Sequence, residues 1–568
     1  MTERRDGPGG RLQATLTRVA IATLLASLIL FIAFPDGGLT VKLFRNHDFS
    51  LLLLGAAVLM ALALRPRALT VANLPRPALL AAVLTVAVLV VTGAGTWLVF
   101  GDFPLVRDEI LADFDAAFLA RGALIAPMPP EWQPFATALM PKFMLPVASS
   151  TGWLSAYLPG NAALRALGEL TVGMEWTNPI LAAVSILAVY RVGRRLWPDT
   201  PRTALAAALL MGTSAQFITM AMTAYAMSAH LAFNLIWLWC FLRGDRKGDA
   251  GALIAGFIAT GLHQLLFHPL FVAPFLAHLW LTGERRRAIV YAFAYLAIGL
   301  FWASYWQIVL SGSGVAGDQA SASGMDYLFA RLSVLLGAFK LTSFTEMAFN
   351  VLRFLSWQNV VLLPLALLAW PAIRRGEGIA RPLAAGVLLT LAVMLVLLPW
   401  QGLGWGYRYL HGFIGSFCLL AGYGWNSLAG EARQRRAALA AGTAASLLLI
   451  LPVHLKQAHD YVAPVRRAHA MIGRSPADLV IVDPAFDIFD DLVRNAPDLS
   501  NRPKIMDGGR LDAAQIRFLC GRYRVEIFDI DDGVRVGLPR IIPPGLAQRP
   551  PSAVRQACGA PPSQVRAP

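Results

Sequence analysis

Uncharged apolar runs alternate with short polar stretches along most of this chain. Runs of roughly 15–25 residues, long enough or nearly so to cross a hydrocarbon core, fall near 17–34, 50–64, 77–100, 177–190, 203–221, 223–242, 251–266, 269–283, 288–310, 357–371, 382–400, 409–428 and 437–456. The expected fold class is therefore an α-helical polytopic membrane protein with about thirteen transmembrane helices. Arg4, Arg5, Arg11 and Arg18 precede or open the first run, and FPDGGLT follows it in place of a small-residue cleavage pattern. That run reads as an uncleaved anchor.

Three stretches break the pattern. The first, 101–176, opens as GDFPLVRDEILADFDAAFLARG and delivers Asp102, Arg107, Asp108, Glu109, Asp113 and Asp115 with helical spacing and one acidic face. From Trp132 to Leu170 it mixes apolar and aromatic residues with Pro and Gly, the pattern of short interfacial helices. The second, 311–356, begins as SGSGVAGDQASASG and continues as an amphipathic stretch expected to lay its apolar face on the membrane. The third is the tail. DLVIVDPAF and YRVEIFDID read as strands, FDDLVRNA and DAAQIRFLC as helices, which makes 457–540 a small α/β domain. A Pro-rich segment, 541–568, is expected to be disordered, and 1–456 is left as the transmembrane module.

Composition narrows the class further. Hydrophobic residues make up 57% of the chain and charged ones 15%, more apolar surface than a soluble fold can hide. A net charge of +15 suggests nucleic acid until its placement is considered. RPR (65–67), RVGRR (191–195), RGDRK (243–247), ERRR (284–287), RR (374–375) and RQRR (433–436) all lie between apolar runs. With a cytoplasmic N-terminus, strict alternation puts all six on the inner side, so the partner of this charge is anionic membrane lipid, not nucleic acid. The 101–176 stretch, the 311–356 stretch, the QGLGWGYRYLHG turn and the tail then fall outside, periplasmic for a bacterial-type inner membrane. Cys240 and Cys418 lie in apolar runs as packing residues, whereas Cys520 and Cys558 can pair as a disulfide if the tail is extracytoplasmic.

The apolar runs carry essentially no Asp, Glu, Lys or Arg away from their ends, which counts against an ion-coupled carrier. Asp108 and Glu109 are the sharpest candidates for chemistry. A carboxylate can take the proton from an acceptor hydroxyl as it attacks an anomeric carbon, and its neighbour can bind the acceptor or hold a metal. Acids also gather at helix N-termini for dipole reasons alone.

RDEILADFDAAFLARGALIAPMPP resembles the first outer loop of GT-C membrane glycosyltransferases, particularly bacterial relatives of the family 39 protein mannosyltransferases. GWLSAYLPGNAALRALGE (152–169) is similar to that group's W-x-S-x-Y-P-P-G-x-x-x-L-x-A-L-G segment, with Leu158 in place of the first proline. WGYRYLH (405–411) is similar to its W-G-x-R-Y-L turn, and RNAPDLSNRPKIMDGG resembles the soluble tail of some members. The middle helices match in hydrophobicity alone.

The resemblance implies a GT-C-like fold and an inverting transfer from a polyprenyl-phosphate-linked sugar, with Asp108 as base or acceptor-orienting group and Glu109 beside it. The leaving lipid phosphate calls for donors. Arg408 is the first choice, with Tyr409 in the same motif, Lys142 in the first outer loop, and His263 and His268 at the turn HQLLFHP. Tyr157, with Pro159 and Gly160, is expected to shape the sugar or acceptor pocket. Each has a plain alternative: an arginine can snorkel, and a histidine near a helix end is often structural. Some members use a divalent cation, Mg or Mn, and Asp108, Glu109, Asp113 and Asp115 can supply oxygen ligands, although the spacing does not require it. The sugar stays open, as does the acceptor, whether glycan, lipid or protein. A lipid or oligosaccharide transporter (a flippase) and a non-catalytic membrane assembly protein remain the alternatives.

Overall fold

The computed structural model describes residues 10–64, 76–140, 143–145, 152–312, 337, 339–483, 491–539 and 553–558. The chain forms two compact units. One comprises Met1–Gly101, Glu175–Tyr305 and Gly324–Ala458; the other comprises Asp102–Met174, Trp306–Ser323 and His459–Pro568.

The first unit is helical, and every apolar run of the sequence has a helix within it. Among the described residues, six helices are long and apolar enough to cross a membrane: Gly10–Ala33, Leu39–Leu64, Pro77–Phe100, Arg285–Gly312, Ala380–Leu397 and Ala429–Gly473. Other runs are broken. Pro201–Gly212 ends before Ser214, whose hydroxyl accepts the Phe217 N–H at 3.2 Å and caps a separate helix, Ala215–Met220. The 357–371 run is two short helices, Leu362–Leu367 and Trp370–Arg375.

Two boundaries differ from expectation in a way that matters. The helix expected over 50–64 starts at Leu39 and passes through a π-turn, Phe44–Asp48, so Asp48 lies inside a spanning-length helix. Its Oδ2 accepts from Arg353 Nε at 3.0 Å, and its Oδ1 from Ser356 Oγ at 2.8 Å and Trp357 Nε1 at 2.6 Å. The expectation that these helices hold no ionisable group away from their ends is corrected here. Two charges were invisible as a pair because each lies in a stretch between the apolar runs, Asp48 before 50–64 and Arg353 before 357–371.

Arg353 belongs to helix Thr342–Ser356, which buries Asn350, Arg353 and Ser356. The described end of the 311–356 stretch thus packs its polar residues into the first unit, beyond simply resting an apolar face on lipid. Residues 313–336 and 338 lie outside the described residues.

The second unit joins two stretches far apart in sequence. β1 (Ala126–Pro127) pairs antiparallel with β2 (Gly152–Trp153), and β3 (Leu479–Val482), β4 (Lys504–Asp507) and β5 (Val525–Phe528) form a parallel sheet of order β4-β3-β5. LVIV is buried at every position, as a central parallel strand requires. KIMD, the β4 strand, carries no apolar alternation and is not readable from sequence. FDDLVRNA was expected to be a helix; its described part, 491–496, is turn and irregular chain. Ala513–Arg522 is helical as expected, opened by an Asp512–Gln515 capping box. Cys520 and Cys558 are joined by a disulfide.

One core serves this whole unit. Phe114, Phe118, Trp132, Phe135 and Trp153 from the first outer stretch pack with Leu479, Ile481, Met506, Ile516 and Leu519 from the tail. The Trp153 indole N–H donates to the Pro497 carbonyl at 2.8 Å, tying β2 to the tail within that core.

Candidate active site

RDEILADFDAAFL forms the helix Arg107–Leu119. The chain reaches it through Gly101 (φ 66°) and Asp102 (φ 49°), the first suited to a left-handed turn and the second a strained residue there. Glu109 is buried, and its Oε2 accepts the N–H groups of Leu105 (3.1 Å) and Val106 (3.2 Å). It satisfies two donors at the helix entrance that no turn of helix could satisfy. The neighbouring carboxylate is turned elsewhere: Asp108 Oδ1 accepts from the Tyr157 hydroxyl at 2.6 Å. The DE pair is thus split between a cap and a half-buried acceptor.

The rest of the acidic face is anchored on the same second segment. Asp113 pairs with Arg165 Nε at 2.5 Å, and Arg165 is almost fully buried. Asp115 accepts from the Ser155 hydroxyl and, at 3.3 Å, from the Ser155 N–H. Burial pushes the Asp115 carboxyl up to about 7, with the Ser155 hydrogen bonds acting in the opposite direction. Three aspartates of one motif therefore meet Ser155, Tyr157 and Arg165 of the other, and helix Gly160–Glu169 packs beside them with Ala116, Ala162 and Ala166 in contact.

This arrangement also tests the metal expectation. Asp108, Glu109, Asp113 and Asp115 have four different partners, and among the described residues no group of three or more His, Cys, Asp or Glu side chains converges as a metal would need. A cation held by these four carboxylates together does not fit.

The tail supplies residues that the sequence did not mark. Arg494 donates to the Pro104 carbonyl at 2.5 Å and the Leu105 carbonyl at 3.3 Å, and its guanidinium lies 4.1 Å over the Phe103 ring. Burial lowers it to about 10, partly offset by Asp491, Glu109 and Asp113. It fixes the 103–105 segment that leads into the helix bearing Asp108. Asp491 in turn holds Arg107 at 2.7 Å, and Arg107 lies over the Phe143 ring, which stacks on Tyr157. Arg494 lies in the tail stretch that carried the family resemblance, but its contacts are to backbone carbonyls, which leave no side-chain pattern to read.

The remaining candidates are distributed. Lys142 lies outside the described residues. Arg408, Tyr409, His263 and His268 belong to the first unit. Arg408 donates its N–H to Gln401 Oε1 at 2.9 Å and a guanidinium N–H to the Gln401 carbonyl. Its guanidinium lies 5.5 Å from the Tyr225 ring and 5.4 Å from the Tyr409 ring. Gly406, at φ 71°, lets the turn pass Gln216, whose Oε1 would stand 2.6 Å from any Cβ there. His268 is wired between Asn234 (2.7 Å) and Tyr295 (2.8 Å), as a packing histidine would be. His230 sits within electrostatic reach of His263, His268 and His411, a buried cluster that the sequence offered only as separate residues.

No family model and no curated protein matches the chain. Among solved structures, it is similar to ArnT from Cupriavidus metallidurans bound to undecaprenyl phosphate. That match has 13% identity and a TM-score of 0.49, covering 73% of this chain and 85% of that one. The apo state of ArnT gives 14% identity and a TM-score of 0.47, covering 74% of this chain and 85% of that one. The Archaeoglobus fulgidus oligosaccharyltransferase in its apo form gives 12% and 0.38, covering 74% and 64%. Likenesses of this size leave function to be read from the chain's own side chains.

Proposed function

We propose that this protein is an integral membrane glycosyltransferase of GT-C type, in which Asp108 is the base for transfer from a polyprenyl-phosphate-linked sugar to an acceptor hydroxyl. The observation that carries the reading is the Asp108–Tyr157 contact at 2.6 Å, made between the two motifs that most resemble that family. Asp108 is presented on a helix clamped at its entrance by Glu109 and Arg494 and along its length by Arg165 and Ser155. Such clamping holds a reacting group in one geometry.

In this reaction the acceptor oxygen attacks the anomeric carbon and its proton passes to the Asp108 carboxylate. The bond from that carbon to the phosphate oxygen breaks, and the lipid phosphate leaves with the electron pair. Attack opposite the leaving group inverts the centre. Tyr157 orients the carboxylate through its hydroxyl. Arg408, with Tyr409, His263 and His268, enters the proposal as the donor set for the phosphate on chemistry alone. The protein is placed in an inner membrane with its N-terminus cytoplasmic and the second unit periplasmic, on the strength of the basic loops.

The transporter reading gains one observation, the intramembrane pair Asp48–Arg353. Asp48, however, already accepts from three side-chain donors, leaving a coupling ion little to bind. The test is transfer by purified protein from a polyprenyl-phosphate sugar, with Asp108→Asn alongside. Transfer by wild type that survives in Asp108→Asn refutes the base assignment. Movement of lipid across vesicles with no transfer establishes the transporter instead.

A further inference from the structure

Within the first unit, helix Pro201–Gly212 and helix Ala432–Ala445 leave a groove between them. Leu205, Leu209, Trp425, Leu439 and Ala440 wall it with apolar surface, and Arg202 and Arg436 line the same space. Its floor is fixed. Thr203 donates to Asn426 Oδ1 at 2.6 Å, and Arg435 donates to the Trp425 carbonyl at 2.6 Å while lying 4.7 Å over the indole.

Helix-end arginines of this unit divide into those paired with an acid and those that donate to carbonyls alone, such as Arg194 and Arg381. Arg243 pairs with Asp245, Arg287 with Asp249, and Arg375 with Glu377. Among the described residues, neither Arg202 nor Arg436 has a carboxylate partner; Arg436 gives its Nε–H to the Ala432 carbonyl at 3.1 Å. Both stand in the first turns of these helices, Arg202 at the second residue of Pro201–Gly212 and Arg436 in RQRR at the start of Ala432–Ala445. An apolar slot bearing two uncompensated guanidiniums is complementary to one kind of membrane component, a molecule with a hydrocarbon chain and a net negative phosphate head.

We infer that this groove is a binding site for an anionic phospholipid of the surrounding membrane, with an acyl chain between the two helices and the phosphate held by Arg202 and Arg436. A zwitterionic lipid brings the same chain and phosphate, but its ammonium cancels the charge the arginines select. A free phosphate lacks the chain that fills the slot. The inference does not depend on the transfer chemistry.

The test is native mass spectrometry of the purified full chain titrated with phosphatidylglycerol, phosphatidylcholine or glycerol phosphate. Wild type should retain phosphatidylglycerol in preference to phosphatidylcholine. Replacing both arginines (Arg202→Gln with Arg436→Gln) should weaken phosphatidylglycerol about 25-fold, at about fivefold for each cation lost, and leave phosphatidylcholine unchanged. Ala440→Trp, at an exposed position on the groove wall, should weaken both lipids by occupying the chain's space. Equal retention of the two lipids by wild type, or full retention of phosphatidylglycerol by the double variant, overturns the inference. So does displacement of bound lipid by glycerol phosphate at equal concentration. If the double variant does not purify, Ala440→Trp decides alone: unchanged lipid retention there also overturns the site.

Discussion

Asp48 and Asp108 are aspartates on helices, one in each unit, and the donors they accept from differ in kind: a guanidinium, a hydroxyl and an indole for one, a phenol for the other. Asp48 is 0% exposed and its oxygens are taken up by Arg353, Ser356 and Trp357. No hydroxyl from outside can reach it. Asp108 is half-buried, and the hydrogen bond that orients it comes from Tyr157, a neutral phenol. The first arrangement uses a carboxylate to join a helix to Thr342–Ser356. The second orients a half-buried carboxylate by a neutral donor, which is the setting of the proposed base. The presence of an acid in a membrane protein therefore says little until its donors are known.

The widest separation between the two should appear when each loses its charge. Asp48→Asn strands the Arg353 guanidinium without a countercharge at 2% exposure, a loss of about 3–5 kcal/mol, read as a lower Tm and poorer recovery from the membrane. Asp108→Asn should leave Tm unchanged and lower transfer by about 10²- to 10⁴-fold. If Asp108→Asn instead lowers Tm as Asp48→Asn does, the contrast collapses and Asp108 is a structural acid.

A smaller effect is expected one step back from the carboxylate. Arg494→Met removes the hydrogen bonds to the Pro104 and Leu105 carbonyls, and the turn leading to Asp108 loosens. Transfer should fall about 10- to 100-fold in kcat with little change in KM, because the base is misplaced and the substrates still bind. Arg494→Lys should recover only part of this, since one ammonium cannot reproduce the fork that spans two carbonyls. An unchanged kcat means the clamp positions nothing. Tyr157→Phe comes next. It deletes one hydrogen bond worth about 1 kcal/mol and should cost about fivefold in transfer, with the stacking on Phe143 retained.

How much of this was legible depends on the kind of signal. Uninterrupted apolar runs announce helices, so each of the thirteen runs holds helix, and the errors lie where a run is broken, as at Ser214, where polar residues enter a helix without ending it, as at Asp48, or where the helix continues beyond the apolar run, as in Ala429–Gly473. The acidic helix was legible from its spacing and Tyr157 from its motif. Their hydrogen bond was not, because nothing in a sequence aligns residue 108 with residue 157 until the Ala116–Ala162–Ala166 contact has docked the two helices. The shared core of the second unit was hidden for the same reason. Trp153 reads as an interfacial aromatic, and only the tail's LVIV strand turns it into core. Backbone-directed residues such as Arg494 leave no pattern at all.

The finest test of the comparison is a titration. Asp115 is as buried as Asp48 in effect, yet it has Ser155 where Asp48 has a guanidinium, and burial raises its folded pKa to about 7 from an ordinary 3.8. Between those values the folded second unit keeps a proton that the unfolded chain has released. The stability of that unit should therefore fall as pH rises from about 4 to 7 and level off above, the opposite of a carboxylate stabilised by an ion pair. Asp115→Asn, a neutral stand-in for the protonated acid, should remove the slope, so its advantage in Tm over wild type grows between about pH 5 and pH 8. Ser155→Ala removes the hydroxyl donor that favours the charged form and keeps the backbone N–H. It should push the midpoint of that slope higher still, whereas a slope unmoved by Ser155→Ala would mean that the charge is stabilised elsewhere and that the contrast with Asp48 has been drawn too sharply.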